Sequence, residues 1–211
     1  MSNIVSRNRQ RLIDVHVESE YYENAESWNT FFWNKSSLPR ILFERLDLSK
    51  TVDLACGHGR HTQQIIDHVG SVMMVDTCET NLDACRKRFS SRANVSYYQT
   101  SGNELNGLET AAYTSLFSYD AMVHFESLDV IDYLREISRV LRPGGFALLH
   151  YSNLDSYPAK TFHENVHWRN FFSTKMMVHF ATRFSFDVIE NRLIDWPPEG
   201  GACQILTGLC Y

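Results

Sequence analysis

The chain has 211 residues, of which 44% are hydrophobic and 21% are charged, as expected for one domain with a substantial core. Its formal net charge of −5 excludes a general attraction to nucleic acid or to an anionic membrane surface. The N-terminus has no apolar segment typical of a signal peptide, and no run of 18 apolar residues occurs. The five cysteines lack paired close spacing, so we expect a cytoplasmic protein with free thiols.

The first part of the chain, residues 1–48, is predicted to be helical and rich in aromatic side chains. Pro39 is expected in the first turn of a helix that ends near Leu46. Strands and helices then alternate. The pattern predicts strands at 51–55, 71–76, 95–99, 116–125 and 146–151, with helices at 60–69, 81–89 and 130–141. A polar connection covers 152–172, a helix capped by Ser173 or Thr174 runs to about Arg183, and two strands (186–195 and 203–209) follow.

This alternation predicts an α/β fold in which a doubly wound, mostly parallel, seven-stranded sheet is covered by helices on both faces. The last two strands follow each other without a helix between them, so one of them is expected to be antiparallel.

A tight glycine turn follows the first predicted strand, in the sequence DLACGHG of residues 53–59. Ligands of open α/β sheets bind outside the carboxyl ends of the strands, and Gly57 and Gly59 would let the backbone approach such a ligand closely. The third glycine of a dinucleotide-binding turn is replaced by Thr62, which weakens a dinucleotide interpretation. Asp76 ends the second strand and could accept hydrogen bonds from both hydroxyls of a ribose, or it could cap the next helix. A turn that binds no ligand is the remaining alternative.

In these motifs the chain resembles the class I S-adenosylmethionine-dependent methyltransferases, of the type that acts on small molecules. Residues 52–62 match the first motif of that family, and Asp76 matches the acidic residue of its second motif. Residues 99–105 (QTSGNEL) resemble the segment that holds the adenine, 119–125 resemble the fourth strand, and 141–146 (LRPGGF) resemble the turn into the fifth. Ala55 stands where the family often has glycine. The resemblance covers roughly residues 45–151 and the last two strands.

The resemblance implies S-adenosylmethionine as cofactor and S-adenosylhomocysteine as product. It implies that Asp53 lies beneath the turn and orients its amides or the cofactor's ammonium group, that Asp76 binds the ribose, and that Asn103 contacts the adenine. A buried Asp53 bonded only to turn amides is the alternative. The complete set of expected cofactor-binding residues is Trp33, Asp53, Ala55, Cys56, Gly57, Asp76, Thr77, Gly102, Asn103 and His124.

Methyl transfer from a sulfonium is a direct displacement, so positioning of the acceptor supplies much of the acceleration. A hydroxyl or ammonium acceptor must also lose a proton to a base. His124, Glu126 and His150 stand at the carboxyl ends of the predicted fourth and fifth strands. His124 and His150 are the predicted catalytic residues and His124 is preferred, although it could instead contact the cofactor or be a buried structural imidazole.

The acceptor is expected to be a small molecule that is sugar-like or partly aromatic and receives the methyl group on oxygen or nitrogen. No Asp/Asn-Pro-Pro-aromatic motif follows the fourth strand, which argues against nucleic acid. Aromatic side chains are frequent in residues 21–33 and 151–172, and they would enclose such an acceptor. We therefore expect one domain (1–211) with an N-terminal helical lid (1–48), a cofactor-binding core (49–151) and an acceptor-covering segment with the last two strands (152–211). It is expected to be a monomer or homodimer.

Two other functions are open at this stage. Residues 163–167 (HENVH) spell H-E-x-x-H, which on a helix could place His163 and His167 on zinc with Glu164 as the base of a peptidase. A third protein ligand is required, and Glu190 and Asp195 are candidates. No metal is the preferred prediction, and His163 or His167 could instead line the acceptor pocket. The other alternative is a non-catalytic regulator of the same fold that binds the cofactor.

Overall fold

A central β-sheet organises the molecule. The computed structural model describes residues 4–17, 20–154, 170–194 and 204–210, the last range as backbone only. The strands are β1 (Thr51–Leu54), β2 (Val72–Asp76), β3 (Val95–Gln99), β4 (Tyr113–Ser118), β5 (Leu141–Ser152), β6 (Asp187–Ile194) and β7 (Gln204–Cys210), in the spatial order β3-β2-β1-β4-β5-β7-β6. The strands from β3 to β5 in this order are parallel, and β7 is antiparallel to both β5 and β6. The predicted α/β fold with a parallel sheet is confirmed.

Helices surround the sheet. Those before β1 are α1 (Ile4–His16), α2 (Tyr21–Ala25), a short 3₁₀-helix (Glu26–Trp28), α3 (Asn29–Trp33) and α4 (Leu38–Phe43). Those after it are α5 (Arg60–Ile65), α6 (Glu79–Arg88), α7 (Ser127–Val140) and α8 (Thr174–Arg183). Pro39 lies in the first turn of α4, as predicted, and the Ser173 side chain caps α8 by accepting from the backbone N–H of Met176. No helix in the described ranges is long and apolar enough to cross a membrane.

The sheet separates two layers of apolar packing because neighbouring residues of a strand point to opposite faces. Leu116 of β4 belongs to the core that α7 covers with Leu134 and Ile137, all fully buried. Phe117, the next residue, packs on the other face against Phe43 of α4, with ring centroids 5.2 Å apart. Burying each such side chain contributes roughly 1.5–3 kcal/mol.

The order of the strands reverses beside β1, which pairs with β2 on one side and with β4 on the other. At such a reversal the connections leave in opposite directions, and a crevice forms outside the carboxyl ends of the strands. The glycine turn after β1 therefore lies at the crevice in which open α/β sheets bind their ligands.

The prediction that the fourth strand reaches residue 125 is wrong. β4 ends at Ser118, and Asp120 has a φ of 58°, a left-handed conformation that ends an extended strand. His124 consequently lies in the loop between β4 and α7. The fifth strand is longer than predicted because residues 141–145 also extend along β4. The H-E-x-x-H sequence and most of the 152–172 connection lie outside the described residues.

Candidate active site

A cavity lies at the carboxyl ends of the central strands. Its floor comes from the segments that follow β1, β2, β3 and β4, and α1 and α2 close it from the other side. Among the residues that the sequence predicted for the site, those that line the cavity are Ala55, Cys56, Gly57, Asp76, Thr77, Gly102 and His124.

The turn after β1 has a left-handed backbone at three positions. Gly57 has φ 53°, Gly59 has φ 78° and Ala55 has φ 61°. A Cβ added to Gly57 would stand 2.8 Å from Cε1 of Tyr22, so both conformation and space require glycine there. Ala55 stands where the resemblance favours glycine, and it adopts the same left-handed conformation. For a residue with a Cβ this conformation costs roughly 1–2 kcal/mol.

Asp76 is held rigidly beside this turn. Its Oδ2 accepts from the backbone N–H of Gly57 at 2.9 Å, and its Oδ1 accepts from the backbone N–H of Cys78 at 2.9 Å and from Nδ2 of Asn81 at 3.0 Å. Burial raises the pKa of Asp76, and these three hydrogen bonds oppose that shift. The carboxylate both orders the start of α6 and presents oxygen atoms to the cavity, so the two roles considered from sequence are compatible.

Asp53 lies below the turn and does not line the cavity. It is 2% exposed, and its Oδ2 accepts a 2.7 Å hydrogen bond from the hydroxyl of Thr62. Burial raises the pKa of Asp53 to about 7, and the Thr62 hydroxyl opposes the shift. Thr62, at the position of the third glycine in a dinucleotide-binding turn, thus ties α5 to β1.

Three further predicted residues also lie outside the cavity. Trp33 donates from Nε1 to Nδ1 of His61 at 3.1 Å. Asn103 donates to Asp132 at 3.0 Å. His150 is fully buried; its Nδ1 accepts from the backbone N–H of Asp120 at 3.0 Å, and it stacks on Tyr119 with centroids 4.7 Å apart.

Two histidines lie next to each other in the lining of the cavity. The rings of His16 on α1 and His124 lie 6.4 Å apart. His16 donates from Nδ1 to the Leu12 carbonyl at 2.7 Å, which leaves its other nitrogen as an acceptor in the neutral ring. The sequence did not predict His16, because nothing local links it to a loop more than a hundred residues away.

Helix α1 is attached to the rest of the molecule mainly through polar side chains, since none of its residues is buried. Arg9 makes a two-pronged ion pair with Asp129, which is only 3% exposed. The neighbouring Asn8 donates to Glu126 at 2.6 Å. The stem of Arg9 packs on Gly102, where an added Cβ would stand 2.6 Å from Cδ of the arginine.

Sequence and structure comparisons identify the domain type and the fold. Residues 51–145 match the methyltransferase domain family. No curated protein sequence matches the chain. Among solved structures, the PH0226 protein of Pyrococcus horikoshii OT3 superposes with a TM-score of 0.65 at 20% identity, covering 91% of this chain and 98% of that one.

Two further structures have names that state an activity. An S-adenosylmethionine-dependent methyltransferase from Mesorhizobium loti gives a TM-score of 0.67 at 14% identity over 82% of this chain and 97% of that one. The glycopeptide N-methyltransferase MtfA was solved in complex with S-adenosylmethionine. It superposes with a TM-score of 0.60 at 17% identity, covering 81% of this chain and 84% of that one. Residues 51–145 thus form a methyltransferase domain with the class I, Rossmann-like fold. This match and the methyltransferases among the similar structures support S-adenosylmethionine-dependent methyl transfer as the activity.

Proposed function

We propose that the enzyme methylates an oxygen or nitrogen atom of a small molecule that is sugar-like or partly aromatic. The observation that carries this proposal is the largely apolar and aromatic lining of the cavity. Leu12 and Ile13 of α1, Tyr21 of α2 and Phe125 after β4 all line it. Such a lining suits a compact, partly apolar acceptor.

The residues of the cavity fit the cofactor. S-adenosylmethionine supplies an electrophilic methyl group when it is bound. Asp76 offers carboxylate oxygens for ribose hydroxyls. Gly57 has no side chain, so the ligand can approach the backbone of the turn closely. Gly102 and Thr100, after β3, line the part of the cavity where we propose that the adenine lies. Asn103 is bonded to Asp132 in this structure, so we propose that it acts by shaping this segment.

We propose that His124 takes the proton that a hydroxyl or ammonium acceptor must lose. Both His124 and His16 line the cavity, with ring centroids 6.4 Å apart, so an acceptor bound in the cavity would lie near the two imidazoles. His150 does not line the cavity. We therefore propose that it positions Asp120 and takes no direct part in the reaction.

We also propose that residues 4–48 act as a lid. Helix α1 contributes Arg9, Leu12, Ile13 and His16 to the cavity and is fastened by the Arg9–Asp129 ion pair. Because no residue of α1 is buried, we expect the helix to open once this ion pair separates, which would give ligands a route in and out.

The test is a screen of acceptors with methyl-labelled S-adenosylmethionine. Purified enzyme is incubated with sets of small hydroxy and amino compounds, with a protein mixture and with nucleic acid, and S-adenosylhomocysteine is quantified. The proposal expects turnover with a small-molecule set. Turnover with the protein or nucleic-acid set alone would contradict it.

No observation favours the zinc-peptidase alternative. The H-E-x-x-H sequence lies outside the described residues, and within the part of the chain that the structure describes no group of three His, Cys, Asp or Glu residues could hold a metal ion. Stoichiometric zinc in the purified protein would reopen that alternative.

A further inference from the structure

A second cluster of polar groups, separate from Asp76 in the chain, lines the cavity. Arg60 and His61 begin α5, directly after the glycine turn, and Asp120 follows β4; all three line the cavity. Nη2 of Arg60 lies 3.1 Å from Oδ2 of Asp120, and the two side chains are 12% and 5% exposed. A buried ion pair costs desolvation energy and is weak evidence for stability, so a ligand that uses its charges is the better explanation.

His61 carries an unused hydrogen-bond donor. Its Nδ1 accepts from the indole N–H of Trp33. Burial, assisted by the charge of Arg60, lowers the pKa of His61 well below its ordinary value, so the ring is neutral and its single proton must be on Nε2. That Nε2 atom is buried and has no hydrogen-bond partner. An unsatisfied buried donor is costly, and His61 is a cavity-lining residue.

Asp120 and Arg60 keep unused capacity as well. Both described side-chain hydrogen bonds of Asp120 go to Oδ2, from Tyr21 at 3.0 Å and from Arg60, which leaves Oδ1 for a donor in the cavity. Arg60 uses one N–H on Asp120 and one on the Ala25 carbonyl, at 2.8 Å, out of the five that a guanidinium has. Asp120 holds a left-handed backbone with φ 58°, and strain of this kind in a non-glycine residue is common at functional sites.

We propose that Arg60, His61 and Asp120 hold the amino-acid end of S-adenosylmethionine, with Nε2–H of His61 and the Arg60 guanidinium donating to its carboxylate and Oδ1 of Asp120 accepting from its ammonium group. The cation and anion of the protein stand side by side, which is complementary to a zwitterion. A neutral acceptor would use neither charge. This inference deepens the proposed function and depends on the identity of the cofactor.

The order of the strands supports the placement. Along the sheet edge, Gly102 follows β3, Asp76 ends β2, the glycine turn follows β1 and Asp120 follows β4. A ligand with its ribose at Asp76 therefore reaches the end of β4 two strand spacings away, about 10 Å, which matches the extent of the chain that joins the ribose to the amino-acid group.

The experiment compares two ligands by isothermal titration calorimetry. S-adenosylhomocysteine carries the amino-acid end, and 5′-methylthioadenosine has the same nucleoside and sulfur without it. Asp120→Asn keeps the shape and tolerates the left-handed backbone, and His61→Phe removes the donor. Each should weaken S-adenosylhomocysteine about tenfold or more, the scale for hydrogen bonds to charged groups, and should leave methylthioadenosine within about twofold.

Asp76→Asn is the matched control, because both ligands carry the ribose and should lose affinity by the same factor. Equal loss of both ligands in Asp120→Asn and His61→Phe, or unchanged affinity for S-adenosylhomocysteine, would overturn the inference while leaving the cofactor assignment intact. If the unmodified enzyme bound neither ligand, the cofactor assignment itself would fail.

Discussion

Replacing Asp53 with asparagine tests the buried carboxylate beneath the turn. Its pKa is about 7 in the folded protein, against about 3.9 for an aspartate in an unfolded chain. The folded state thus holds a proton that the unfolded state has already released. Asp53 contributes stability in full below about pH 4, and this contribution is lost as the pH rises through about 7. The whole difference corresponds to about 4 kcal/mol, of which roughly 2.5 kcal/mol is lost between pH 5 and pH 8.

The measurement is urea unfolding of both proteins at several pH values from 5 to 8. The asparagine side chain cannot titrate, so this pH-dependent loss is absent from the variant. The free energy of unfolding of the variant, relative to that of the wild-type protein, should therefore rise by roughly 2.5 kcal/mol from pH 5 to pH 8. Any constant cost of the buried amide is present at every pH and cancels in the comparison. Asp47→Asn is the control. Hydrogen bonds from Ser49 hold the pKa of this surface carboxyl below its usual value, so it is ionised in the folded and unfolded states throughout this interval, and its replacement should change stability equally at every pH. The reasoning is refuted if the stability gap between Asp53→Asn and wild type does not change with pH.

Three other variants test the site. Asp76→Ala should weaken S-adenosylhomocysteine by about 1–3 kcal/mol, as lost hydrogen bonds to a charged group do; unchanged affinity in calorimetry would remove Asp76 from the ribose site. His124→Ala should lower kcat with affinity for S-adenosylhomocysteine within about twofold, whereas a loss of affinity alone would assign His124 to cofactor binding. The double variant Arg9→Met/Asp129→Leu removes the ion pair that fastens α1 without stranding a buried charge. It should speed S-adenosylhomocysteine dissociation severalfold in stopped-flow experiments, and an unchanged rate would contradict the lid.

The sequence was most informative where function is local. Gly57, Gly59 and Asp76 were found because a strand, a turn and a second strand are short-range patterns, and the structure brings Gly57 and Asp76 into direct contact. The end of β4 was predicted wrongly because Ala121, Met122 and Val123 continue an apolar run. Periodicity cannot reveal the left-handed backbone at Asp120 that ends the strand.

The sequence was least informative where function depends on long-range contacts. Arg9 and Asp129 form an ion pair although 120 residues separate them in the chain, and Arg60 and Asp120 do so across 60 residues. No local sequence pattern predicts either pair. Trp33 was predicted to bind the cofactor, but it does not line the cavity and contacts the cavity-lining His61 instead. A signal for Asp120 did exist, since a polar residue just after an apolar strand is a candidate at the sheet edge.

The anchoring of Asp76 by three N–H groups of its own chain has a consequence for evolution within this scaffold. The Asp76 side chain has its rotamer set before any ligand arrives, so if it binds the ribose as proposed, little of its own entropy is lost on association. Helix α1, in contrast, has no buried side chain, and few of its residues besides Arg9 and Asn8 are fixed by contacts with the rest of the molecule. If α1 lines the acceptor space as proposed, substitutions in it would change which acceptor is admitted without changing Asp76.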